Sequence, residues 1–115
     1  MCLVAFALDQ SSRYPFVLAS NRDEFYDRPA ARLAWWQPEG GGPAILGGRD
    51  LSEGGTWLGL TAAGRLGLVT NVRNPAKLDP AAPSRGHLVT DWLQGDRAMS
   101  QLWPRMAMSG YNGVN

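Results

Sequence analysis

The chain opens on an unbroken apolar run, Cys2-Leu3-Val4-Ala5-Phe6-Ala7-Leu8, closed by Asp9-Gln10-Ser11-Ser12. A short apolar run with polar punctuation after it predicts a buried strand. Pro15 sets a turn, and Phe16-Val17-Leu18-Ala19-Ser20 predicts a second strand, paired with the first as a hairpin. The character then changes at once to Asn21-Arg22-Asp23-Glu24. The stretch from Asp27 to Pro43 holds Pro29, Trp35, Trp36, Pro38 and glycines at 40–42, and predicts a long irregular segment of the kind that is usually functional or mobile. Ile45 to Asp50 predicts a weak strand. Thr56–Thr61 and Leu66–Val72 flank Ala62-Ala63-Gly64-Arg65 and predict a hairpin in which Gly64 takes the positive φ.

Helices come late. Ser84 is a suitable N-cap, Leu88, Val89, Trp92 and Leu93 recur at helical spacing, and Gly95 suits the position after the last turn. Asp96 can cap a second helix through Met99, Leu102 and Trp103, which Pro104 is expected to interrupt. Roughly five antiparallel strands followed by two helices define an α+β chain with its helices on one sheet face. Tyr111-Asn112-Gly113-Val114-Asn115 reads as a turn entering a strand. The expectation is one domain over 1–115, incomplete as it stands, with exposed sheet surface that leaves homo-oligomer formation open.

Composition narrows the function. With 115 residues, 11 basic and 10 acidic side chains and a net charge of +1, there is no electrostatic footprint for nucleic acid. No run reaches the apolar length of a membrane span. Met1 to Leu8 lacks the basic start of a secretion signal, so the expected location is cytoplasmic. Cys2 is the one cysteine and His87 the one histidine, which argues against a disulfide, a zinc cluster or any other metal site.

Cys2 carries the most chemistry. Removal of Met1 makes it the N-terminus, where its own α-amino group can act as general base for the thiol. A cysteine at the start of a strand is otherwise a small hydrophobe. Arg22 offers a planar cationic fork that can hold a carboxylate or steady a thiolate, and Asp23 can orient it or accept from an α-ammonium. A solvated turn with local ion pairs is the plainer account of that tetrapeptide, but it lies at a rigid strand end, one hairpin from Cys2. Asn71 closes the strand expected at 66–72, and a side-chain amide there suits an oxyanion; strand-end turns also favour Asn. Trp35-Trp36 on a glycine-rich segment can line a pocket for a small-molecule substrate or ligand, with Asn21 beside it.

These residues resemble a known family. Cys2, Ala19-Ser20-Asn21-Arg22-Asp23-Glu24-Phe25-Tyr26-Asp27-Arg28-Pro29, Ile45-Leu46-Gly47-Gly48-Arg49-Asp50 and Gly54-Gly55-Thr56-Trp57-Leu58-Gly59 look like the NRDE-motif family, also called the transport and Golgi organisation 2 family. Thr70-Asn71-Val72-Arg73, Ser84-Arg85-Gly86-His87-Leu88-Val89 and Tyr111-Asn112-Gly113 continue the match in order. That family is similar to N-terminal nucleophile hydrolases of the penicillin V acylase type. The resemblance implies the N-terminal part of a four-layer αββα sandwich, with Cys2, Arg22, Asp23 and Asn71 as the catalytic set. In those hydrolases Arg and Asp stand a few residues apart, whereas here they are adjacent. Two function classes follow: a hydrolase of non-peptide amides using Cys2 and no cofactor, or a non-catalytic protein that binds or carries a ligand, with haem or a lipid the ligand implied by the family.

Overall fold

The computed structural model describes residues 2–72 and 74–115. Six strands precede two helices, so the α+β reading stands. Strands β1 (Val4–Leu8) and β2 (Phe16–Ser20) form an antiparallel hairpin with Val4 opposite Ser20 and Leu8 opposite Phe16. Strands β3 (Ala30–Trp36), β4 (Ile45–Asp50), β5 (Leu58–Thr61) and β6 (Leu66–Leu68) form a second antiparallel sheet in that order. A 3-10 turn at Pro75–Lys77 leads towards helices α1 (Gly86–Gln94) and α2 (Met99–Ala107).

The β4–β5–β6 register sorts side chains into two rows. Gly47, Gly59 and Gly67 lie opposite one another on one face, while Leu46, Leu60 and Leu66 align on the other, joined by the Leu58–Leu68 pair. Helix α1 lies on the glycine face. A Cβ built on Gly59 would fall 2.7 Å from Leu93 Cδ1 and 2.8 Å from Ile45 Cγ2, and one on Gly67 would fall 2.8 Å from Trp92 Cδ1. The missing side chains let α1 approach closely enough for Leu93 and Val89 to meet Ile45, the centre of the core, with Trp36, Val69 and Trp92 around it. Gly59→Ala should therefore destabilise the fold by about 1–3 kcal/mol through overpacking. An unchanged urea midpoint would show that α1 can lift away at no cost.

Several boundaries differ from the sequence reading. Strand β3 lies inside the stretch 27–43 expected to be irregular. Its ladder to β4 shifts register between Ala31 and Ala34, and that bulge breaks the period-two pattern by which a strand is recognised. The strand after Gly64 ends at Leu68 rather than at Val72, and Gly64 takes φ 84° as expected. Helix α1 is capped by Arg85, with no side-chain cap bond from its N-cap, while Ser84 contributes only its carbonyl to the His87 N–H. Helix α2 starts at Met99 after Ala98, not at Asp96, and runs through Pro104 instead of stopping there. Proline removes a single amide donor from that helix, and Leu102 N–H still bonds Ala98 O at 3.2 Å to hold its first turn.

The hairpin β1–β2 stands apart from this core, so the first strand is not buried as its apolar run predicts: Leu3, Phe6 and Leu8 are exposed, as are Phe16 and Val17. Among the described residues no helix is long and apolar enough to cross a membrane.

Candidate functional site

The hairpin register positions Cys2. Because Val4 pairs with Ser20, extending the ladder places Leu3 opposite Asn21 and Cys2 opposite Arg22. Asn21 enforces the extension. Its backbone N–H donates to Leu3 O at 3.2 Å, and its side-chain Oδ1 accepts from Leu3 N–H at 2.8 Å. The chain is thereby pinned one residue from the thiol. The Asp23 N–H then donates to Cys2 Sγ at 3.4 Å, and the sulfur lies 3.9 Å from Asp23 O. Cys2, Arg22 and Asp23 are all half-buried. An N–H aimed at sulfur stabilises negative charge there.

Arg22 turns away from the hairpin and lies over the Trp57 ring, its guanidinium carbon 4.7 Å from the centroid. Trp57 can lie there because β4 offers no side chain at Gly48. A Cβ at that position would come within 2.6 Å of Trp57 Cη2. Gly48, Trp57 and Arg22 thus tie the thiol-bearing hairpin end to the four-stranded sheet. Gly48 and Trp57 lie within the sequence motifs, but neither stands out there as part of the site. The available signal was a Gly-Gly-Thr-Trp run, residues 54–57, following a glycine pair at 47–48.

Glu24 begins a second polar group. It lies 3.8 Å from Arg28, whose Nε donates to Asp50 Oδ2 at 2.9 Å while its Nη2 stands 2.7 Å from the same oxygen. Asp50 Oδ1 accepts from Ser52 N–H at 2.9 Å, and its backbone bonds Gly54 and Gly55 across the turn. Burial pushes the Asp50 carboxyl up, but the Arg28 hydrogen bond and the backbone donors outweigh it and leave the group below its ordinary value. The hydrogen bond to Asp50 raises Arg28 in turn, against burial. Arg85 faces the same group: burial lowers it, while Glu24 opposes that change, and its Nη1 donates to Gly113 O at 3.0 Å.

A carboxyl depressed in the folded state stabilises the protein above its unfolded pKa of about 3.9, and that contribution is lost as pH falls through the lower folded value. Thermal midpoints should hold steady above about pH 4 and drop in acid below it. Asp50→Asn should be less stable at neutral pH and show a flatter acid limb. An acid limb unchanged by that substitution would show that the Arg28–Asp50 pair contributes nothing.

The other candidate residues have partners of their own. Asn71 is exposed and forms an isolated antiparallel bridge with Val114. Among the described residues no hydrogen bond joins it to Cys2. Trp36 packs against the core and carries Arg49 over its ring at 5.0 Å, while Trp35 points to the other side of β3 and is exposed. His87 Nε2 is 2.7 Å from Glu53 O. Met1 and Arg73 lie outside the described residues.

Antiparallel strands followed by helices, with a single cysteine held at a hairpin end by an Asn-Arg-Asp-Glu segment, define an α+β protein of the NRDE class. The sequence model for Transport and Golgi organisation 2 matches residues 1–114, so the chain belongs to that family. It is 40% identical to the human transport and Golgi organization protein 2 homolog over 124 aligned positions, covering 100% of this chain and 44% of the relative. The mouse homolog is 38% identical with the same coverage, and the Drosophila melanogaster protein 36% identical over 81% of this chain and 35% of its own length. The chain thus spans less than half the length of the curated relatives it matches.

Proposed function

We propose that Cys2 is the nucleophile of an N-terminal-cysteine hydrolase acting on a non-peptide amide. The observation that carries this reading is the Asp23 N–H directed at Cys2 Sγ at 3.4 Å. It gives the thiol a fixed direction and a donor suited to a developing thiolate. In the proposed reaction the free α-amine of Cys2, exposed by loss of Met1, takes the thiol proton. The sulfur adds to the amide carbonyl carbon, and the carbonyl pair moves onto oxygen. Collapse of the adduct breaks the C–N bond, the leaving amine takes the proton back, and a thioester remains. Water then adds to that thioester with its proton passing to the α-amine, and the acid and free thiol are released.

Arg22 and Asp23 act as positioning residues in this scheme, and Asn71 is the side-chain amide assigned to the oxyanion. Asn21, Trp35 and Trp36 are proposed to contact the substrate. A retained Met1 would acylate the very amine that serves as base. Intact-mass measurement on the protein as produced in cells is therefore the first test. A mass lacking methionine is expected, and full retention of Met1 overturns the mechanism.

A further inference from the structure

A polar pocket of about 480 Å³ opens between α1 and α2. Trp92 of α1 and Leu102 and Met106 of α2 form its apolar wall, and Arg65, Arg97 and Arg105 line the rest together with two carboxylates. A volume of this size suits a small organic ligand. None of the lining residues belongs to the group around Cys2.

Arg65 leaves the β5–β6 turn and crosses to the end of α1. Its guanidinium carbon lies 3.7 Å from the centroid of the Trp92 ring. Its Nε donates to Trp92 O at 3.2 Å and its Nη2 to Arg97 O at 2.9 Å. The first of these bonds satisfies a carbonyl of the last helical turn, which already accounts for a basic residue at this place. Together the bonds also fix the guanidinium in the pocket wall while using only two of its five N–H donors.

Arg97 comes from the link between the helices and Arg105 from the last turn of α2. Both are exposed, and among the described residues neither forms an ion pair. The two carboxylates are Asp91 and Asp96, and neither pairs with an arginine. Three guanidinium groups against two carboxylates leave an excess of positive charge, and the three approach from separate elements. A carboxylate offers two oxygens to such donors. A phosphate monoester offers three, with a charge of about −1.5 to −2 at neutral pH.

We propose that the cleft between α1 and α2 is a binding site for a small phosphate monoester. Arg65, Arg97 and Arg105 hold the phosphoryl oxygens, and Trp92, Leu102 and Met106 receive the apolar body of the ligand. Arg65 is the fixed donor. Arg97 and Arg105 close on the anion from the link and from α2.

An NMR titration of the 115-residue chain with phenyl phosphate, at constant ionic strength, tests this site. Saturable amide shifts are expected at Arg97, Ser109 and Tyr111, all in the pocket wall. Arg97→Ala and Arg105→Ala should each weaken binding by about tenfold or more, the effect of losing one hydrogen bond to a charged group. Neither side chain is bonded to another described residue, so both variants should keep the native spectrum outside the pocket. Arg32→Ala removes the same charge from β3, away from the pocket, and should leave the affinity unchanged. Benzoate, with two oxygens, should bind about tenfold more weakly than phenyl phosphate. Shifts that never saturate overturn the proposal. Equal weakening by Arg32→Ala also overturns it, because net charge alone would then explain the binding. Benzoate binding as tightly as phenyl phosphate overturns the assignment to a phosphate.

Discussion

Cys2→Ala should abolish covalent turnover, with a fall in rate of roughly 10⁴-fold or more, because the lost atom is the one that forms the acyl intermediate. The chain holds no second thiol to substitute for it. A generic activated ester separates this loss from ignorance of the natural substrate. With p-nitrophenyl acetate, the processed protein should release a burst of p-nitrophenol that approaches one equivalent per chain, and Cys2→Ala should show no burst. Cys2 lies before the start of β1 and outside the core around Ile45, so the substitution leaves the fold in place, and an unchanged circular dichroism spectrum checks this. A burst of equal size from Cys2→Ala would remove Cys2 from the mechanism.

Leu93→Ala is expected to produce the largest loss of stability, about 2–5 kcal/mol. Leu93 is fully buried, and among the described residues it shares the core with the buried Ile45, Leu88 and Val89. Its side chain reaches over Gly59 and Gly67 on the sheet below. Glycines have no side chain to swing into the vacated space, so the cavity can close only if the backbone of α1 moves. Against a domain stability of about 5–15 kcal/mol, such a loss removes a large share of the whole. Urea unfolding of the two proteins side by side measures it. A loss under about 1 kcal/mol would mean that α1 settles onto the sheet and closes the cavity.

The parts of the fold readable from sequence were those whose signal is local. The hairpin of Val4–Leu8 and Phe16–Ser20, the Gly64 turn and the apolar stripe of α1 each lie within one short window. Strand β3 escaped because its bulge breaks alternation and its flanking prolines look like loop. The site divides in the same way. Cys2 and Asn21–Glu24 stood out by residue type and by their place at a strand end. The docking of Arg22 on Trp57 depends on two residues far apart in sequence and on the space left by Gly48, and no one-dimensional pattern encodes that distance. Asn71 stood out by residue type at a strand end, and its backbone pairs with Val114, a partner 43 positions away that no local pattern reveals.

The opposed glycine and leucine rows have a consequence for strand pairing itself. A slip of β5 by a single residue would carry Leu58 and Leu60 to the side beneath α1 and send Gly59 to the other. The close approach of Leu93 and Ile45 to Gly59 leaves a leucine side chain no space there. Misaligned pairings are thus rejected by collision before any loss of hydrogen bonding is counted. The absence of side chains at Gly47, Gly59 and Gly67 proofreads the alignment of the sheet.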